Sequence, residues 1–147
     1  MELELRKATL SDIEILAEMN RQLIEDEGSM NPMTLDELKQ RMYEWLETSY
    51  NADFLILNQE TAGYALYHFK QNQYEQNIQG VYLRQYFIGR KFRKLGLGLK
   101  GIKLLKEHRF KDVNSIEIDV LESNTTGMNF WGRAGFKPYY TNMRMKI

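Results

Sequence analysis

The residues whose types and spacing best suit chemistry lie in one stretch, Arg93-Lys94-Leu95-Gly96-Leu97-Gly98. It follows the β-branched and aromatic run at 81–88 and precedes Leu99, Ile102, Leu104 and Leu105 at helical spacing. A helix start exposes amide hydrogens without intrahelical partners, and its dipole favours an anion there. Glycine lets the backbone approach that anion with no Cβ in the way, and flanking Arg and Lys add charge and bidentate donors. The stretch predicts a cradle for a pyrophosphate; the plainer alternative is a loop whose glycines only relieve backbone strain. A P-loop needs G-x-x-x-x-G-K-[ST], which Lys100-Gly101 after Gly98 does not supply. Gly96-x-Gly98-x-x-Gly101 formally fits a dinucleotide fingerprint with Glu117 near the required distance, but the repeated βαβ units of such a fold are missing.

A second set is acidic. Glu117 and Asp119 alternate with Ile116, Ile118 and Val120, so one strand face carries carboxylates that could accept a proton through water. Solvent-facing strand carboxylates would look the same. His68, flanked by Tyr67 and Phe69, reads as a structural histidine. With His108 its only fellow and no cysteine in the chain, metal-ligand spacing is absent and thiol chemistry is excluded.

These residues need elements to position them. Residues 3–9 alternate as a strand. Ser11 and Glu14 have capping-box spacing ahead of Ile13, Ile15, Leu16, Met19, Leu23 and Ile24, a helix that should end near Gly28. Thr34 and Glu37 repeat the box before Leu38, Met42, Trp45 and Leu46. Residues 53–57 and 63–69 read as strands joined by a turn at 58–62, and 71–80 as a polar loop. Residues 81–88 are the strongest strand, 115–121 another, 125–134 a helix closed by Gly135, and the tail with Tyr139 and Tyr140 a last strand. The order is β-α-α-β-β-β-α-β-α-β in a single domain, 1–147.

On these residues the sequence resembles a known family. Arg93-x-x-Gly96-x-Gly98 after a strand is similar to the [Q/R]-x-x-G-x-[G/A] signature of the GCN5-related N-acetyltransferase (GNAT) superfamily, whose members bind acetyl-coenzyme A (acetyl-CoA). One strand later, Asn124-x-x-Gly127-x-x-Phe130-Trp131-x-x-x-Gly135-Phe136 resembles the family's N-x-x-A-x-x-F-Y-x-x-x-G-F. The element order agrees from end to end. The resemblance implies an α/β fold with a twisted mixed sheet of about six to seven strands and about four helices, the fourth and fifth strands splayed apart. It implies that the pantetheine arm lies in the splay against the backbone of Phe87 and Ile88. The amides of Lys94, Leu95, Gly96, Leu97 and Gly98, with Arg93, would hold the pyrophosphate, and Asn124, Phe130 and Trp131 would reach the coenzyme from the other side. The acceptor pocket would be lined by the first two helices and their loop, where Glu25, Asp26 and Glu27 lie; their charge suggests a cationic primary amine on a small molecule, peptide or lysine side chain.

Acetyl transfer requires a deprotonated amine, whose ordinary pKa is about 10.4, a donor to the thioester carbonyl, and a route for the departing thiolate. The amide of Ile88 would be the donor and Glu117 or Asp119 the base. Many family members place a tyrosine acid after the Phe of the second motif; this chain has Trp131, whose indole hydrogen-bonds but does not titrate near neutrality. Either another group such as Tyr139, Tyr140 or water would serve, or the thiolate leaves unassisted; Trp131 itself reads as an aromatic packed against the coenzyme. That departure keeps open a catalytically weak acyl-CoA-binding or sensing domain.

The chain has 147 residues, 43% hydrophobic and 27% charged, with twenty basic residues balancing twenty acidic ones. Such a composition excludes a largely disordered protein. The balance conceals asymmetry: residues 1–60 hold fourteen acids and five bases, whereas 90–111 hold nine bases and Glu107 alone. Basic charge gathered at a glycine cradle argues for a phosphate-bearing co-substrate rather than nucleic acid. No signal peptide or membrane span is expected, so a cytoplasmic protein with no membrane partner and no metal is the reading, and a homodimer is plausible.

Overall fold

Local signals set most element ends. In the structure, a computed structural model that describes residues 2–71, 74 and 79–147, Thr34 and Glu37 cap each other as expected. Glu37 N–H donates to Thr34 Oγ1 at 3.2 Å and Thr34 N–H to Glu37 Oε1 at 2.8 Å, opening α2 (Leu35–Glu47). The first helix begins differently from the Ser11/Glu14 expectation. Thr9 N–H donates to Asp12 Oδ2 at 2.9 Å, and a 3-10 turn over Leu10–Asp12 leads into α1 (Ile13–Glu27). Asp has the shorter side chain and closes the tighter turn, leaving Glu14 to solvent beside Lys39. Gly28 ends α1 in the left-handed region, as predicted.

Strands β1 (Leu3–Lys7), β2 (Asn51–Leu57), β3 (Glu60–Gln71) and β4 (Gln79–Ile88) form an antiparallel meander, and β5 (Ser115–Glu117) joins β4 in parallel. The β2–β3 turn is only Asn58-Gln59, both at positive φ, the backbone form that matches strand twist in a two-residue hairpin. Part of the expected 71–80 loop belongs to β3 and β4; residues 72, 73 and 75–78 lie outside the described residues. Between β4 and β5 come a second 3-10 turn (Arg90–Phe92) and α3 (Leu97–His108), and α4 (Thr125–Arg133) follows.

The sheet has five strands among the described residues, fewer than expected. β5 stops at Glu117 rather than 121, and residues 137–147 pair with no strand, leaving Tyr139 94% exposed. Alternation marks a segment that could be a strand, but a strand exists only where a neighbour accepts its N–H and C=O groups.

Two layers of helix cover the sheet. Leu16, Met19 and Leu23 of α1 and Met42 of α2 pack on Phe54, Tyr64, Leu66 and Phe87. Ile102 and Leu105 of α3, with Phe130 and Trp131 of α4, pack on Ala65, Tyr67, Val81 and Leu83. No helix among the described residues is long and apolar enough to cross a membrane.

Candidate active site

Two features of β4 create the site. The β4–β5 ladder runs only from Gly80↔Ser115 to Tyr82↔Glu117, while β4 continues to Ile88, so the two strands part and leave a gap. Opposite β3, the pairs Leu66↔Gln85 and Tyr67↔Leu83 leave Arg84 unmatched, a bulge. Its extra residue puts Arg84 and Gln85 together on the α1/α2 face, where Tyr64 Oη donates to Gln85 Oε1 at 2.7 Å and Arg84 lies over Trp45. Beyond the bulge, Gly89 N–H donates to Ala62 O, and the carbonyl of Phe87 points at Gly63 so closely that a Cβ there would meet it at 1.9 Å. Because strand amides alternate in direction, Phe87 faces β3 and Ile88 faces the gap. Of the two residues expected to line the arm, only Ile88 presents its main chain there. Its carbonyl accepts from Arg93 Nε at 2.8 Å.

The α3 start abuts this gap. Its first helical bond is Lys100 N–H to Gly96 O, so the amides of Leu97, Gly98 and Leu99 have no intrahelical acceptor. The N-cap is Gly96, at φ 75° with nothing within 4 Å of a would-be Cβ, and Lys94 also takes a positive φ of 64°. No side chain caps this start, whereas Thr34 and Asn124 accept from the first turns of α2 and α4. An uncapped N-terminus on open, glycine-shaped backbone with Lys94 and Lys100 beside it fits a diphosphate.

Gly98 has another reason to be glycine. A Cβ there would lie 2.7 Å from Phe130 Cε1, so its hydrogen is the seat for the α4 ring. Tyr86 completes the joint: its hydroxyl donates to Gly98 O at 2.6 Å, its ring stacks on Phe130, and a Cβ on Gly101 would strike its hydroxyl. Burial holds the Tyr86 phenol well above its ordinary pKa. Trp131 sits edge-on to Phe130 and Phe136 and beside Tyr86, a packed aromatic. Asn124 Oδ1 accepts from Gly127 N–H at 3.0 Å, so it caps α4.

A model of the acetyltransferase (GNAT) family matches residues 17–136. The chain belongs to the acetyltransferase (GNAT) family. No curated protein matches. The chain is similar in structure to a possible acetyltransferase from Clostridium difficile 630 (14% identity, TM-score 0.80, covering 100% of this chain and 98% of that one). It is also similar to a ribosomal-protein-alanine N-acetyltransferase from Brucella melitensis biovar Abortus 2308 (7%, 0.76, 99% and 100%). A third is a predicted acetyltransferase with acetyl-CoA from Clostridium acetobutylicum (15%, 0.74, 99% and 96%). At such identities the likeness shows the fold alone.

In this GNAT chain the acidic candidates divide. Glu117 and Asp119 share the α1/α2 face at the mouth of the gap; Lys70 pairs with Glu117 at 3.1 Å, and Tyr82 Oη donates to Asp119 Oδ2 at 2.6 Å. Burial, then the Asp119 bond and charge, raises the Tyr82 phenol far above its usual value, so Tyr82 is a donor and not a base. Asp26 is not an open pocket lining. Arg93 and Arg90 both bind it, Arg90 at 2.8 Å, and Arg90 also reaches Glu25 at 3.2 Å. Burial would raise the Asp26 carboxyl, but the two guanidiniums outweigh it and hold it below the ordinary range. Desolvation and then the Asp26 charge raise Glu27, although the residue is exposed. Tyr139 and Tyr140 meet edge-on in solvent, both largely exposed, which gives neither a held position from which to protonate a departing thiolate. No cluster of three or more His, Asp or Glu that could hold a metal occurs among the described residues.

Sequence reasoning missed Tyr86 as the pin between β4 and α3, and it missed the grouping of Arg41, Arg84 and Trp45 on the α1/α2 face. The bulge that gathers the latter follows from pairing with β3 and has no local signature. Phe130 against Gly98 was half legible, since both motifs were seen but not that they touch.

Proposed function

We propose that this chain transfers an acetyl group from acetyl-CoA to a primary amine in a ternary complex. The single observation that carries the reading is the uncapped, glycine-shaped start of α3 beside the open edge of β4. The amides from Lys94 to Gly98 would hold the diphosphate, with Lys94 and Lys100 adding charge. Ile88 N–H, facing the gap, would donate to the thioester oxygen as negative charge develops on it. Bound acetyl-CoA supplies the acetyl group: the amine nitrogen bonds to the carbonyl carbon, and the C–S bond breaks with its electron pair leaving on sulfur. Asp119, held by Tyr82, and Glu117 would take the amine's proton through water. With Trp131 packed and Tyr86 engaged, the thiolate departs toward water, which its moderate basicity permits.

Calorimetry tests the reading. Acetyl-CoA should bind with measurable heat, and an amine panel should release thiol. Gly96→Val meets no neighbour but forces a β-branched residue to φ 75°, a strain of about 1–3 kcal/mol, and should weaken acetyl-CoA binding about tenfold. No heat with the native chain, or undiminished affinity in a folded Gly96→Val, overturns it. Binding without thiol release from any amine would favour a sensing domain instead.

A further inference from the structure

On the α1/α2 face beside the gap, two guanidiniums stand together with no carboxylate paired to either among the described residues. Arg41 of α2 and Arg84 of the β4 bulge both lie over Trp45, at 4.4 and 4.8 Å from the ring centre. Arg41 Nη2 donates to Asn20 Oδ1 and Arg84 Nη1 to Tyr50 Oη, each at 3.2 Å. Among the described residues neither forms an ion pair, whereas Arg6, Arg21, Arg90, Arg93 and Arg109 all do. The cluster also holds donors without acceptors: Arg41 Nε and the Nδ2 of Asn20, a residue wholly buried, are sealed from solvent and have no hydrogen-bond partner among the described residues. Burial, then the charge of Arg84, depresses the Arg41 pKa, which registers the same lack of a counterion. Glu27 is near enough to act on Tyr64, as Arg41 does, but forms no ion pair with either arginine. Like charges and buried donors left together are costly unless something negative completes them.

Their position says what that something is. Arg84 marks where the β4–β5 ladder has ended, and Ile88 lies four residues along the same strand. Across the opening on the same face stands Asp119, which accepts from Tyr82 Oη, beside Glu117, which Lys70 already pairs. A cationic pole and an anionic pole therefore flank one entrance, while Glu25 and Asp26, the acids expected to attract a cation, are already bound by Arg90 and Arg93. Resting on the acetyl-transfer reading, we infer that the acceptor is an amine that also carries an oxyanion, carboxylate or phosphate, gripped by Arg41 and Arg84 beside Trp45. The oxyanion fills the unanswered donors, and the ammonium is drawn toward Asp119 before it loses its proton.

Thiol release with matched amines tests this: β-alanine against β-alaninamide, 2-aminoethyl phosphate against ethanolamine, and putrescine as a purely cationic amine. At least one anionic member should exceed its neutral partner in kcat/KM by about tenfold, the worth of a charge-assisted bond; which pair separates tells carboxylate from phosphate. Arg84 is exposed, so Arg84→Gln should fold, which its melting temperature checks. It should raise KM for the anionic amine about tenfold and shrink the difference within the pair, and Arg84→Lys should restore part of it. Preference for neutral amines or putrescine, or full discrimination in Arg84→Gln, overturns the inference and leaves acetyl transfer standing. Thiol release from none of the amines overturns both.

Discussion

Gly98 shows how a motif residue carries two meanings. Its spacing from Gly96 is read as a phosphate-binding backbone, yet its missing Cβ is filled by the Phe130 ring. Gly96, by contrast, has open space and a positive φ, so conformation alone selects it. Gly98→Ala should therefore cost stability through overpacking, about 1–3 kcal/mol, which a thermal melt would register. Pairing it with Phe130→Leu should give a loss smaller than the sum of the two, because the smaller side chain yields the space. Strict additivity would refute the contact as the cause. The second motif was legible only as a family resemblance, with Asn124 expected to reach the coenzyme; in the structure its side chain accepts from Gly127 N–H and caps α4.

Among elements, the C-terminal end of α1 is tied to the turn before α3 by Asp26, with Glu25 adding a second contact to Arg90. Asp26 accepts from Arg90 and Arg93, and Arg93 also binds Ile88 O, so the clamp steadies the β4 end where transfer is proposed. Its carboxyl is depressed in the folded chain, so its stabilising contribution is present above the unfolded value near pH 3.9 and fades as pH falls through the lower folded value. Asp26→Asn should melt below the native chain at pH 7, and the difference should narrow on acidification below about pH 4. A constant difference across that range would place the effect elsewhere. The sequence shows these acids at a helix end and these arginines after a strand, but not that they meet, since over sixty residues separate them.

For the whole molecule, the charge asymmetry resolves into contact between the two halves. The acidic first sixty residues answer the basic segment through Arg90 with Glu25 and Asp26, Lys91 with Glu60, and Arg109 with Asp53. The last is the deepest. Asp53 is wholly buried, accepts from Tyr67 Oη at 2.6 Å and from Arg109 Nη2 at 2.9 Å, and so ties β2 and β3 to the end of α3. Arg109→Ala would leave that carboxylate without its counter-charge and should cost about 3 kcal/mol, a fall in melting temperature of roughly 6–12 °C. A change under about 1 kcal/mol would mean that water replaces the guanidinium.

From the sequence alone came the element order as far as α4, the α2 cap, the glycine that starts α3 at Gly96 and the family, because each is written in residue types a few positions apart, where chain connectivity guarantees proximity. The gap beside Ile88 was expected only through the family resemblance; where it opens, the turn of the Phe87 main chain toward β3, the quenching of Asp26 and the gathering of Arg41 with Arg84 belong to the tertiary structure. They depend on strand register, where the bulge at Arg84 reassigns every side chain beyond it to the opposite face, and no local pattern encodes with which partner a strand will pair.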